Sequence, residues 1–93
     1  MPCIIRRIAG DRYADAIELA SGVWTLREQV EALDSWLRSN RGRIDASSKW
    51  VADIGFCVRK DAGGGGPVIS KDLMTMCLEV NLEIYLSEYP GEA

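Results

Sequence analysis

Apolar and mixed positions alternate along residues 50–59, which read Trp-Val-Ala-Asp-Ile-Gly-Phe-Cys-Val-Arg. Every second residue is apolar, namely Trp50, Ala52, Ile54, Phe56 and Val58. A period of two is typical of a β-strand with one face on a core. Because helical patterns lie on both sides of this stretch in the chain, we expect it to form a central strand against which two helices pack.

The N-terminal part predicts a strand over residues 3–9 and leaves two alternatives for residues 12–20. As a helix, the second segment would be capped by Asp11 and would present one apolar side. As a strand, it would follow Gly10-Asp11, a two-residue hairpin turn of the glycine-first type. Helix propensity favours the first alternative and the tight turn favours the second. We expect the hairpin, with the helix still open.

A helix is predicted over residues 26–41. Thr25 and Glu28 have the spacing of a capping box, in which each side chain accepts the other residue's backbone N–H. Apolar residues follow at helical spacing, namely Leu26, Val30, Leu33 and Leu37. Gly42 supplies a natural stop.

The C-terminal part predicts a short helix over about 71–78, with Ser70 as its N-cap. From Val80 to Leu86 the apolar residues alternate again, which indicates a half-buried strand. The chain is therefore expected to be one domain, 1–93, with a glycine-rich loop at 61–67 and a frayed tail at 88–93.

This order of elements, β-β-α-β-α-β, predicts an α+β fold. We expect a small mixed sheet of about four strands with two helices packed on one face. Strand–helix–strand units favour right-handed crossovers, so the last two strands are expected to be parallel.

Several segments resemble the bacterial domain-of-unknown-function family 4279. These are a Trp before a Leu-rich helix, an apolar strand, a glycine-rich loop, and Ile-Ser-Lys-Asp-Leu-Met at 69–74 running into Leu-Glu-Ile-Tyr at 82–85. Glu83 matches the acidic residue that members carry before the final apolar–aromatic pair. The resemblance covers about residues 21–86. It implies a small bacterial α+β protein and assigns neither an activity nor catalytic residues.

Composition is that of an ordinary folded protein, with 47% hydrophobic and 27% charged residues. Apolar runs stay well short of the roughly 18 residues of a membrane span, and a signal-peptide pattern is absent. We therefore expect a soluble, cytoplasmic protein. Its three cysteines, Cys3, Cys57 and Cys77, are expected to be reduced thiols, with Cys57 and Cys77 acting as small hydrophobes.

Charge is distributed unevenly around a net value of −3. After Lys71 the chain has acidic residues and no basic one; they are Asp72, Glu79, Glu83, Glu88 and Glu92. This end could attract a basic partner. A basic cluster at the end of the first helix (Arg38, Arg41, Arg43 and Lys49) either touches an acidic partner or complements the helix dipole. The overall balance argues against direct nucleic-acid binding.

The residue types limit the chemistry that the chain can perform. There is no histidine, which removes the commonest general base and metal ligand, and we expect neither a metal nor a cofactor. Residues 63–66 are all glycine, but the Gly-Lys-Ser/Thr ending of a phosphate loop is missing, so a flexible connection is the simpler interpretation. Asp53 and Glu83 could form a carboxylate pair on neighbouring strands.

We expect a small non-catalytic protein-binding module of the inhibitor or immunity type, which docks an acidic surface on a basic partner such as a toxin or a nucleic-acid enzyme. The residues expected at its binding surface are Trp36, Asp53, Glu79, Glu83, Tyr85 and Glu88. The three tryptophans either all fill the core or include an interface anchor. Two alternatives stay open: a self-associating module that dimerises through a sheet edge or Trp36, and a minimal enzyme based on Asp53 and Glu83.

Overall fold

Four strands and two α-helices make up the part of the chain that this computed structural model describes, residues 3–60 and 63–90 without the side chain of Asp15. Their bounds are β1 (Cys3–Ala9), β2 (Arg12–Leu19), α1 (Leu26–Asn40), β3 (Lys49–Cys57), α2 (Lys71–Glu79) and β4 (Leu82–Tyr89). A 3-10 turn, Arg41–Arg43, follows α1. The predicted α+β class and the predicted order of elements are confirmed.

The strands form one mixed sheet in the order β2-β1-β3-β4. Strand β1 is antiparallel to both β2 and β3, whereas β3 and β4 are parallel. The parallel pair is joined through α2, as the crossover argument predicted. Strand β3 therefore has a strand on each side, which confirms it as a central strand.

Residues 12–19 form a strand, so the helical alternative for this segment was wrong. Ala9 pairs directly with Arg12, and Gly10 in the turn has a φ of 67°. Glycine tolerates this left-handed conformation without a steric penalty. The hairpin also brings Ile17 and Leu19 against the core, which offsets the better helix propensity of the segment.

The core lies between one face of the sheet and the two helices. Its strand residues are Cys3, Ile5, Trp50, Ala52, Ile54 and Leu82, and its helix residues include Val30, Leu33, Leu37, Leu73, Met76 and Cys77. The predicted apolar face of β3 is thus confirmed as far as Phe56, which packs partly buried against this core. Val58 lies beyond the end of β3 and is 49% exposed, because the ladder stops at Cys57.

Val51 is buried although it points to the opposite face of the sheet, away from the helices. Its exposed fraction is 1%. The register places Arg6 of β1 and Glu83 of β4 beside it, and long side chains on flanking strands can cover a central residue. The second face of the sheet is therefore not uniformly exposed to solvent.

Gln29 is the buried polar residue that ties α1 to the central strand. Its exposed fraction is 0%, and its Nε2 donates to the carbonyl oxygens of Gly55 at 2.5 Å and Val23 at 2.8 Å. The described part of β1 begins opposite Ile54, so Gly55 lies one residue past it. Gln29 thus provides a hydrogen bond at the point where β1 no longer flanks β3.

Two further differences from the prediction concern the start of α1 and the end of β4. Thr25 makes no side-chain cap to the backbone; its hydroxyl donates instead to the Glu28 carboxylate at 2.9 Å. Glu88 and Tyr89 belong to β4 rather than to a frayed tail, because they pair with Phe56 and Cys57. Residues 91–93 of the predicted tail and residues 61–62 of the predicted loop lie outside the described residues.

Two substitutions test where the core-facing part of β3 ends. Both change residues that belong to the alternating apolar pattern of residues 50–59. Ile54→Ala should lower the free energy of unfolding by about 2–5 kcal/mol, because it leaves a cavity under the helices. Val58→Ala should change it by less than about 0.5 kcal/mol, because Val58 lies outside the ladder. Urea denaturation followed by tryptophan fluorescence at one protein concentration measures both; equal effects would contradict this boundary.

Candidate functional site

Both helices pack on the same face of the sheet, and the other face is left uncovered by the described elements. We call it the open face, with the residues Ile4, Arg6, Ile8, Tyr13, Ala16, Glu18, Lys49, Val51, Asp53, Cys57, Glu83, Tyr85, Ser87 and Tyr89. Side chains of alternating residues on paired strands share a face, which is what assigns these residues to one surface. The fold thus leaves this surface available to a partner.

Asp53 lies at the middle of the open face. It is aligned with Ile4 on one side and Tyr85 on the other, and its Oδ1 accepts a hydrogen bond from the Ser87 hydroxyl at 2.6 Å. Asp53 is partly buried there. This hydrogen bond fixes the carboxylate against β4 and orients it within the sheet.

Glu83 shares the open face with Asp53 but is not its direct neighbour. The register aligns Glu83 with Val51, and Glu83 Oε1 lies 2.6 Å from the Nζ of Lys49. The hydrogen bond and the negative charge of Glu83 raise the pKa of Lys49. The two carboxylates proposed as a pair are therefore diagonal to each other, and each is engaged by a different side chain.

Other residues predicted for the binding surface are spread over the molecule. Glu88 points to the helix side of β4, and Glu79 lies at the end of α2. Trp36 is partly buried and packs against the core. The structure thus brings together Asp53, Glu83 and Tyr85, and it separates them from the other three.

The three tryptophans have different environments. Trp50 is buried in the core and donates its indole N–H to the carbonyl oxygen of Asp45 at 2.9 Å. Trp24 is 44% exposed and meets the ring of Tyr89 edge-on, with 5.8 Å between the ring centroids. Of the two alternatives for the tryptophans, the one in which all three fill the core is wrong, because Trp24 lies partly in solvent.

The acidic C-terminal part and the basic cluster of α1 lie against each other. Three ion pairs join them: Arg38–Asp72 at 3.7 Å, Arg41–Glu79 at 3.7 Å and Lys49–Glu83 at 2.6 Å. Their side chains are about half exposed or more, so each pair adds little stability. Their main effect is to reduce the acidic surface that the linear charge pattern predicted.

A cavity of about 320 Å³ opens between the start of α1, the end of β3 and the glycine-rich loop. Nη2 of Arg27 donates to the carbonyl oxygen of Gly66 at 3.1 Å, and Nη2 of Arg59 donates to that of Gly64 at 3.1 Å. A phosphate loop offers backbone N–H groups to an anion. Here the loop instead offers carbonyl oxygens to two arginines. Sequence reasoning missed this cavity because its walls are far apart in the chain.

Clusters of metal-binding side chains and membrane-spanning helices are both absent from the described residues. Within 3–60 and 63–90, Cys, Asp and Glu side chains do not gather in groups of three or more that could hold a metal ion. Over the same residues, neither α-helix has the length and apolar character that a membrane crossing requires.

Comparison with known proteins identifies no relative of this chain. No protein-family model matches the chain, and no curated protein or solved structure matches it. Membership of the domain-of-unknown-function family 4279 therefore stays a prediction. The open face has to be interpreted from its own residues.

The cysteines are free thiols with different surroundings. Burial, followed by the negative charge of Asp53, raises the pKa of Cys3 from 9.0 to about 12. Burial also raises the pKa of Cys77. Cys57 is partly buried on the open face, and its Sγ donates to the carbonyl oxygen of Pro90 at 3.7 Å. Cys3 and Cys77 are packing residues of the core.

The raised pKa of Cys3 predicts a loss of stability at alkaline pH. Above pH 9 the unfolded chain releases a thiol proton that the folded chain retains up to about pH 12, so the free energy of unfolding falls as the pH rises. This group contributes at most about 1.4 kcal/mol per pH unit. Urea denaturation between pH 8 and 10.5 should show a shallower decline for Cys3→Ala than for wild type. Thr75→Ala, at an exposed position of α2, removes no titratable group and should keep the wild-type slope; equal slopes for all three proteins would contradict the prediction.

Proposed function

We propose that this protein is a small non-catalytic protein-binding module of the inhibitor or immunity type, and that it binds its partner with the open face. The observation that carries this proposal is the exposure of Tyr13 (56%) and Tyr85 (40%) on a sheet face that no described element covers. Tyrosine is enriched in protein–protein interfaces, since its ring buries a large area and its hydroxyl bonds to polar groups.

Prearranged side chains support a binding role for this face. The guanidinium of Arg6 lies over the ring of Tyr13, with 5.3 Å from Cζ to the ring centroid. The hydroxyl of Ser87 holds Asp53, as described above. Groups that are already ordered lose less conformational entropy when a partner binds. The rigid backbone of the sheet adds to this advantage.

Charge indicates the chemistry of the partner. The net charge of −3 favours a basic surface, such as that of a toxin or a nucleic-acid enzyme. Asp72, Glu79 and Glu83 each lie in an ion pair with a basic residue. The charge argument on the open face therefore rests on Asp53 and Glu18, which lie outside these three pairs. Their contribution should be strongest at low ionic strength.

The minimal-enzyme alternative has weaker support. Asp53 and Glu83 are not aligned with each other, and they are engaged by Ser87 and Lys49, respectively. General acid–base catalysis needs a carboxyl group within hydrogen-bond reach of the transferred proton and of matched pKa. The arrangement of Asp53 and Glu83 therefore favours a structural role for the two carboxylates over proton transfer between them.

Partner capture tests the proposal. The immobilised protein should retain a stoichiometric partner from a lysate of its own cells at low salt, and the affinity should fall as salt is raised. Calorimetry with the purified partner should then show at least a tenfold loss, about 1.4 kcal/mol, for Tyr13→Ala and for Tyr85→Ala.

Thr75→Ala serves as the control for these variants, since Thr75 is exposed on α2 and away from the open face. It should bind the partner as wild type does. Failure to retain any stoichiometric partner, or equal affinity of the two tyrosine variants and wild type, would contradict the proposal.

A further inference from the structure

Among the residues that the structure describes, no strand pairs with the outer edge of β4. The N–H of Trp50 donates to the carbonyl oxygen of Asn81 at 2.9 Å, and Trp50 is aligned with Leu82. In a parallel ladder this arrangement directs the backbone groups of the odd-numbered residues of β4 towards β3. The N–H and C=O groups of the even-numbered residues therefore point outwards; these residues are Leu82, Ile84, Leu86 and Glu88.

The β4 edge lacks most of the features that block strand pairing. Native edges are protected by bulges, prolines and charged side chains, lysine above all. Strand β2, at the other edge of the sheet, has a register irregularity opposite Arg6 and Arg7. Strand β4 pairs regularly with β3 over its whole length and contains neither lysine nor proline; of its two charged residues, Glu83 is paired with Lys49 and Glu88 lies near the end of the strand. Its eight residues thus offer a regular edge of about 26 Å.

An apolar surface runs along this edge on the helix side. Asp72 and Glu79 face Arg38 and Arg41 at the end of α1, so helical periodicity places Met74 and Leu78 on the flank of α2 away from α1. Leu86 lies on the same side of the sheet, because it is aligned with the core residue Ile54. We call this surface the edge patch; it comprises Met74, Leu78 and Leu86, which are 49–83% exposed.

We propose that β4 pairs antiparallel with β4 of a second copy of this chain, which makes a continuous eight-stranded sheet. A two-fold axis perpendicular to the sheet keeps both pairs of helices on one side. The two α2 helices then lie next to each other, and the two edge patches cover one another. This dimer does not depend on the open face binding another protein.

A register of the two β4 strands that is centred on Tyr85 allows the most outward-facing backbone groups to form hydrogen bonds. It pairs Ile84 with Leu86 of the second copy and Leu82 with Glu88, so all four outward-facing residues take part in the ladder. Across the same axis Glu83 faces Ser87, and carboxylates do not oppose each other. A register centred on Leu86 would leave Leu82 outside the ladder.

The exposed apolar area is that of a weak dimer. At about 30 Å² per methylene, the edge patch exposes on the order of 230 Å² of apolar surface on each copy. Weak and transient interfaces bury less than about 1,200 Å² in total, and homodimer interfaces are largely apolar. Hydrogen bonds between the paired strands add to the apolar contact. One self-complementary edge thus provides both the hydrogen bonds and the apolar contact of an isologous dimer.

A disulfide crosslink tests the register directly. Tyr85 would meet its own copy as a non-hydrogen-bonded pair, with about 4.5 Å between the Cα atoms, which lies within the range of disulfides. Tyr85→Cys, made together with Cys57→Ser, should therefore form a covalent dimer under mild oxidation. The matched control is Glu18→Cys in the same background, exposed on the open face of β2, and it should stay uncrosslinked.

Sedimentation equilibrium from micromolar to submillimolar concentration tests the dimer itself. Wild type should associate, and Leu86→Lys should remain a monomer because it places a charge in the middle of the joined edge. Val58→Lys introduces the same charge at an exposed apolar residue outside the edge patch, and it should associate as wild type does. Circular dichroism confirms that both variants fold.

Several outcomes would overturn this proposal. They are a monomeric wild type over the whole range, unchanged association of Leu86→Lys, and crosslinking of Glu18→Cys as fast as Tyr85→Cys. If wild type is monomeric, the proposed dimer is wrong and the β4 edge remains available to a strand of a different protein. Failure of partner capture with a dimeric wild type would instead contradict the proposed function and leave the dimer standing.

Discussion

The position of β3 between β1 and β4 is the constraint on which the rest of the structure depends. Its helix-facing residues, Trp50, Ala52 and Ile54, form the floor on which both helices pack, while Val51 is buried on the other side. Burying one large aliphatic side chain contributes about 1.5–3 kcal/mol, and a small domain has a net stability of about 5–15 kcal/mol. Losing the burial of one or two residues of this strand would therefore remove much of the net stability of the domain.

This central strand also decides which surfaces remain exposed. With both helices on one face, the opposite face is uncovered, and with β1 and β4 on either side of β3, the chain's last strand becomes a sheet edge. Ion pairs between α1 and the C-terminal part then reduce the net acidity of the helix side. Partner binding is proposed for the open face and self-association for the edge of β4, and Tyr85 lies where these two surfaces meet.

Local patterns predicted most of the fold, because they depend on neighbours in the chain. Alternation at 50–56 predicted β3, the spacing of Leu33 and Leu37 predicted α1, and the Gly10-Asp11 turn outweighed helix propensity in β2. Long-range pairing was not predictable in this way. Nothing in the sequence near Gln29 shows that its amide meets Gly55, and nothing near Glu79 shows that Arg41 lies opposite. The candidate site was predicted in part, since Asp53, Glu83 and Tyr85 share a face of the sheet. Glu79, Glu88 and Trp36 lie elsewhere, because the whole topology determines which way the side chains of each helix and strand point.

Native-state hydrogen exchange is the most direct test of the central role of β3. The amides of residues 51–54 should exchange slowest in the chain, at a rate set by global unfolding, because β1 and β4 enclose them on both sides. The amides of β2 should exchange faster, through local opening of the hairpin at the edge of the sheet. Exchange of residues 51–54 as fast as that of β2, under conditions where the protein is folded, would contradict the account.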